Sequence, residues 1–140
     1  MPKILIAEDD FPSRELLAEI LLGWGYEVAQ ASNGIEALAL IEQMRPDLVL
    51  LDIQMPLLDG FGVIARIRSD PRSAALPVVA VSAHAMRDDS RRICSAGFDA
   101  HVAKPVDLEA LRVLLQENFS GKWAASRSAA TPSRSAEPAK

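Results

Sequence analysis

Residues 47–52 read DLVLLD, a run of four apolar residues that ends in an aspartate. The run lacks the polar residue at every second position that a strand with one solvated face shows. Such a run is typical of a strand covered on both faces, as in a parallel sheet with helices on either side. We therefore predict a buried strand over residues 47–51, with Asp52 at its carboxyl end.

The rest of the chain repeats this unit, since short apolar runs alternate with segments of helical spacing. Residues 16, 17, 20 and 21 are apolar, for example, and Gly23 follows them where a helix would end. Alternating strands and helices indicate a parallel sheet with right-handed crossovers. The predicted strands are 3–7, 26–30, 47–51, 77–81 and 99–103, and the predicted helices are 11–22, 34–44, 60–68, 87–96 and 107–118.

Length and composition favour a single cytoplasmic domain. The 140 residues suffice for one core, and a hydrophobic content of 49% is ordinary for a globular protein. The net charge of −4 argues against binding to nucleic acid, which needs basic patches against phosphates. Cys94 is the only cysteine, so no disulfide forms within the chain. We find neither a signal peptide nor the roughly 18 apolar residues of a membrane span, so no membrane partner is expected.

The segment 120–140 differs in composition from the rest of the chain. It is rich in serine, alanine and proline, and it carries four basic residues and one acidic residue. Segments of this kind bury too little apolar surface to fold alone. We predict a folded domain over residues 1–119, followed by a flexible basic tail and no output domain. The tail is either an inert extension or a basic docking segment.

Polar residues stand at the carboxyl ends of four predicted strands, namely Glu8 and Asp9, Asp52, Ser82 and Lys104. These ends share one edge of a parallel sheet, which is where ligands of such sheets bind. Converging carboxylates repel one another unless a cation neutralises them, and hard oxygen ligands suit Mg²⁺. An aspartate can also attack phosphorus to form an aspartyl phosphate, whose oxygens a lysine and a hydroxyl would hold.

Four stretches together carry a family resemblance: ILIAEDD (4–10), LVLLDIQMPLLDG (48–60), PVVAVSA (77–83) and HVAKP (101–105). With them the chain resembles a response-regulator receiver domain of two-component signalling, of the single-domain chemotaxis or cell-division type. The resemblance covers residues 3 to about 118. It implies a flavodoxin-like α/β fold, with a five-stranded parallel sheet in the order 2-1-3-4-5.

The resemblance implies a Mg²⁺-dependent phosphoacceptor site. Asp52 would take a phosphoryl group from a sensor histidine kinase or a histidine phosphotransfer protein. Asp9 would bind the metal directly and Glu8 through water, while the backbone carbonyl of Gln54 would complete the protein ligands beside Asp52. Asp10 occupies a position that varies in the family, so we expect a solvated acid there and not a ligand.

The resemblance also assigns residues to the phosphorylated state. Ser82 would hydrogen-bond the phosphoryl group and move on switching. Lys104 would pair with the phosphoryl group, and a cis peptide bond would join it to Pro105. His101 stands where the family usually has a switching aromatic residue. It is either that switch or a plain surface histidine.

Regulation and partners follow from the same resemblance. Gln54 and His84 flank the phosphoryl position and would tune the rate of its hydrolysis. A downstream protein would bind the face built from the fourth helix, the fifth strand and the fifth helix. We expect a phosphoacceptor that assists its own phosphorylation and dephosphorylation, and not a conventional enzyme.

Three alternatives to a phosphorylated receiver domain are considered. A phosphatase of the haloacid dehalogenase kind needs a second acid two residues after the nucleophile, where this chain has Gln54. A phosphorylation-independent adaptor on the same fold remains an alternative. An excised receiver domain of a hybrid kinase is a further alternative.

Overall fold

A computed structural model describes residues 2–83 and 87–120, and for residues 87–90 it describes the backbone alone. Strands and helices alternate throughout. The strands are β1 (Lys3–Ala7), β2 (Glu27–Ala31), β3 (Leu48–Asp52), β4 (Val78–Ser82) and β5 (Ala100–Ala103). The helices are α1 (Phe11–Gly23), α2 (Gly34–Met44), α3 (Gly60–Ser69), α4 (Arg87–Ala96) and α5 (Leu108–Phe119). All strand pairs are parallel and their order is β2-β1-β3-β4-β5, which confirms the predicted flavodoxin-like fold.

The central strands β3 and β4 are buried along their whole length, as the DLVLLD run predicts. Successive side chains point to opposite faces of the sheet, so one strand contributes residues to the hydrophobic core on each face. Val49 and Leu51 pack in the core covered by α2, α3 and α4, whereas Leu48 and Leu50 pack in the core covered by α1 and α5. Each such leucine stabilises the fold by roughly 1.5–3 kcal/mol relative to an exposed one.

The strands β3 and β4 each end one residue later than predicted, at Asp52 and Ser82. The ladder continues because Asp52 pairs with Val81, and the amide of Ile53 donates to the Val81 carbonyl at 3.1 Å. Two of the predicted site residues, Asp52 and Ser82, are therefore the last residues of regular strands. Their backbone is held by the sheet.

Four helices begin at a capping side chain that accepts a hydrogen bond from the first helical turn. The caps are Asp10 on α1, Asn33 on α2, Asp59 on α3 and Asp107 on α5. Such caps each contribute about 1 kcal/mol. Asp10 is exposed, as expected, and its carboxylate accepts from the Ser13 amide at 3.1 Å. The Asp10 carboxylate thus has a structural role as the N-cap of α1.

A close backbone approach beside Asp52 requires glycine. The amide of Gly60 donates to the Ile53 carbonyl at 2.8 Å. A Cβ atom at Gly60 would lie 2.8 Å from both the carbonyl oxygen of Asp52 and the Cα of Ile53. This contact seats the start of α3 directly against the end of β3.

Parts of the sequence prediction lie beyond what the structure describes. The proposed tail from residue 121 onward and His84 fall outside the described residues, so the expectations for them stay predictions. Within residues 2–83 and 87–120, no helix is long and apolar enough to cross a membrane.

Candidate phosphoacceptor site

The sheet brings the predicted site residues to a single edge. Strand pairing sets Ala7 beside Leu51, so the residues that follow β1 lie next to the end of β3. Asp52 and Ser82 end the neighbouring strands β3 and β4. On the far side, the amide of Lys104 donates to the Ser82 carbonyl at 2.9 Å. Residues distant in sequence therefore meet because their strands are neighbours.

Lys104 connects two buried carboxylates. Its Nζ lies 3.0 Å from Oδ2 of Asp52 and 2.9 Å from Oε1 of Glu8. Glu8 and Asp52 are only 6% and 5% exposed. The peptide bond between Lys104 and Pro105 is cis, as predicted. Buried charges need partners of this kind, because moving an unpaired charge out of water costs much free energy.

Asp9 adds a third carboxylate at the solvent side of this pair. One oxygen each from Glu8, Asp9 and Asp52 lie within 4.8 Å of one another, and Asp9 itself is exposed. The amide of Gln54 donates to Oδ1 of Asp52 at 3.1 Å, which places the Gln54 backbone beside the same carboxylate. A set of hard oxygen donors of this size fits a divalent cation such as Mg²⁺.

Among the described residues of the site, acids outnumber cations, and this bears on the pKa values of Glu8 and Lys104. Burial raises the pKa of Glu8 from 4.5 to about 7, and its hydrogen bond with Asp52 acts in the same direction, while Lys104 opposes both. Burial alone would lower the pKa of Lys104, but its hydrogen bonds to Glu8 and Asp52 outweigh it and raise that pKa. One ammonium does not neutralise three acids, so the donor set favours a further cation.

Ser82 and His101 lie on the neighbouring strands β4 and β5. Ser82 is buried at the rim, one strand away from Asp52. His101 pairs with Ala80 on β4, is partly buried, and has its Nε2 atom shielded from solvent. His101 is thus neither fully exposed nor fully buried, and both interpretations of it stay predictions. The side chain of Gln54 is exposed.

Two arginines near the site were missed by sequence reasoning. Arg14 of α1 donates to the Glu8 carbonyl at 2.9 Å and to the side chain of Gln30 at 3.0 Å. Arg92 of α4 lines a groove that also contacts Asp9 and Gln54. Neither arginine lies in a recognisable motif. Helix packing brings both near the carboxyl edge of the sheet, and the spacing of residues in the sequence does not indicate this packing.

The fold and the acidic edge together define a receiver domain. The family model described as the response regulator receiver domain matches residues 4–116, and the chain belongs to this family. Receiver domains of two-component systems bind Mg²⁺ at an acidic site, and they interact with histidine kinases or phosphotransfer proteins and with downstream targets. The alternative of a haloacid dehalogenase-type phosphatase is thereby set aside.

Similar proteins come from several bacteria. The chain is 38% identical, over 109 residues, to the polar-differentiation response regulator DivK of Brucella anthropi, covering 77% of this chain and 89% of that protein. It resembles the receiver domain of the sensor histidine kinase PA1611 of Pseudomonas aeruginosa, solved with magnesium in the active-site cleft (TM-score 0.77, 30% identity, 83% and 95% coverage). It also resembles the receiver domain of the Francisella response regulator 1452 (TM-score 0.81, 25% identity, 87% and 99% coverage).

Proposed function

We propose that Asp52 accepts a phosphoryl group from a histidine kinase or phosphotransfer protein in a Mg²⁺-dependent reaction. The observation that carries this proposal is the pairing of buried Asp52 with Lys104 at 3.0 Å, beside the acids Glu8 and Asp9. A structural ion pair would need one carboxylate for one ammonium. The surplus of acids at one point is what phosphoryl transfer with a divalent cation requires.

The chain's own residues account for each part of the transfer. A carboxylate oxygen of Asp52 attacks phosphorus, and the phosphorus–nitrogen bond of the donor breaks with its electron pair moving to the imidazole. Lys104 and the hydroxyl of Ser82 then hold the new phosphoryl oxygens. Asp9, Asp52 and the backbone carbonyl of Gln54 would hold Mg²⁺, with Glu8 acting through water. The metal, when bound, offsets repulsion between the carboxylate and the phosphoryl group.

The outcome of phosphorylation is a change of protein partners. The added charge of about −2 is expected to draw Ser82 inward and to let His101 turn on β5. The face of α4, β5 and α5 would then bind a downstream protein. Gln54, together with His84, would set the lifetime of the phosphoryl group. On this view the protein is a cytoplasmic signalling switch that assists its own chemistry, and not a conventional enzyme.

Mass spectrometry after incubation with acetyl phosphate and Mg²⁺ tests the proposal. We expect one labile phosphoryl adduct on the wild type, none on Asp52→Asn, and none when the metal is chelated. Asp9→Asn should weaken Mg²⁺ binding, so that phosphorylation needs a higher Mg²⁺ concentration. Asp10→Asn is the matched control, because asparagine still caps α1 and the residue is not placed among the ligands. An adduct that persists on Asp52→Asn, or its absence from the wild type, would rule out the proposal.

A further inference from the structure

An arginine stands at the open side of the phosphoacceptor site. Arg92 of α4 lines a groove of about 560 Å³ together with Asp9, Gln54, Asp59 and Phe61. The groove borders the reacting carboxylate, because the amide of Gln54 donates to Asp52 and Asp9 belongs to the acidic cluster. A donor that approaches Asp52 along this side passes Arg92.

Aromatic packing holds the guanidinium in place. The central carbon of the Arg92 guanidinium lies 4.4 Å from the centre of the Phe61 ring. Phe61 in turn meets Phe98 edge-on, with ring centres 6.2 Å apart, and Phe98 is buried in the core. A cation over an aromatic face is attracted to it. A side chain braced in this way is preorganised at the mouth and loses little freedom on meeting a ligand.

The charged residues that line the groove suggest that Arg92 interacts with an anionic ligand. Among the described residues that line the groove, Asp9 and Asp59 are acidic and Arg92 is the one cation. Lys104 lies deeper and is engaged by Glu8 and Asp52. An anionic phosphodonor therefore meets two carboxylates at the rim, and one guanidinium that offsets them. The planar guanidinium suits the paired oxygens of a phosphoryl group.

We propose that Arg92 is a donor-binding residue, which holds the phosphoryl oxygens of an anionic acyl phosphate at the groove mouth before transfer. The inference rests on the proposed phosphorylation of Asp52. When acetyl phosphate is the donor, a carboxylate oxygen of Asp52 bonds to phosphorus, and the phosphorus–oxygen bond to acetate breaks with its electron pair leaving on acetate. No proton moves, and the total charge is the same before and after.

The test compares phosphorylation rates with a limiting concentration of acetyl phosphate, saturating Mg²⁺ and low salt. We expect Arg92→Gln to react about threefold to tenfold more slowly than the wild type, because electrostatic attraction raises encounter rates. Arg92→Lys should recover part of the rate, since it keeps the charge but lacks the planar pair of donors. Added KCl should shrink the difference between Arg92→Gln and the wild type, because salt screens exposed charges.

Arg112→Gln is the matched control. Arg112 also lies over an aromatic ring, with its guanidinium 6.0 Å from the centre of the Trp24 ring, but it does not line the groove. Its loss should leave the rate unchanged. Equal rates for Arg92→Gln and Arg112→Gln would overturn the role of Arg92 while leaving Asp52 as phosphoacceptor. Absence of any wild-type adduct would overturn both proposals.

Discussion

At the scale of single residues, one ammonium and three acids set the behaviour of the site. Glu8 is buried against Asp52 and shares Lys104 with it. A buried carboxylate that loses its proton there gains a charge that burial disfavours. Glu8 therefore couples folding to pH whenever no divalent cation is present.

We predict that the free energy of unfolding, measured by urea titration with chelator present, falls as pH rises from about 4.5 to about 7. The folded protein binds a proton on Glu8 over this range, whereas the unfolded chain has released it, because the folded pKa is raised to about 7 from 4.5. The loss is on the order of 2 kcal/mol.

Glu8→Gln should remove most of this slope, since glutamine cannot titrate. Glu19→Gln, on an exposed part of α1, serves as the control and should keep the wild-type slope. If the free energy of unfolding of the wild type and of Glu8→Gln fell in parallel with pH, this explanation would be contradicted.

At the scale of elements, the joint between β3 and α3 determines where Asp52 points. The amide of Gly60 is bonded to Ile53, and Asp59 caps α3 by accepting from the Gly62 amide at 2.9 Å. The strand, the cap and the glycine form one rigid connection. The position of Asp52 thus depends on a helix start eight residues further along the chain.

Gly60→Ala should destabilise the protein by about 1–3 kcal/mol, because the added methyl group meets backbone atoms that cannot rotate away. It should also slow any phosphorylation of Asp52, whose carbonyl would be displaced. Gly23→Ala is the matched control, since nothing lies within 4 Å of its Cβ position. There we expect no loss of stability in thermal unfolding. Equal stability of the two variants would show that the joint can relax.

At the scale of the whole molecule, Arg68 ties α3 to the segments that flank β4 and β5. It donates to the carbonyls of Gly97 and Leu76, and its guanidinium lies 2.9 Å from Asp99. The Asp99 carboxylate is 2% exposed and also accepts from the amide of Val78 at 2.8 Å. This network lies at the amino ends of the strands, far along the sheet from Asp52.

Arg68→Met should destabilise the fold by about 3 kcal/mol in urea unfolding, because it leaves the buried Asp99 carboxylate without its ion pair. Arg72→Met is the control, since Arg72 pairs with Asp70 and Glu42 at the exposed surface. Its removal should change stability little. If both variants lost a similar free energy of unfolding, the burial of Asp99 would not explain the contribution of the Arg68–Asp99 ion pair.

Much of the molecule could be predicted from the sequence because the signals are local. Apolar runs and helical spacing predicted all five strands and all five helices, with every boundary within one residue of the observed one. Asp52 and Lys104 were predicted at one edge of the sheet because each follows a predicted strand of a parallel sheet. Arg14 and Arg92 could not be found in this way, since they reach the site through helix packing.

By itself, then, the sequence determined the order of elements and the residue types at the carboxyl edge. Period and composition are properties of short segments, so they are present before the chain folds. Only the tertiary structure decided that Glu8 and Asp52 share one lysine, that Asp10 serves α1, and that Arg92 reaches the groove. Those facts depend on burial and on distances between remote segments. These arise only when the helices pack against the sheet.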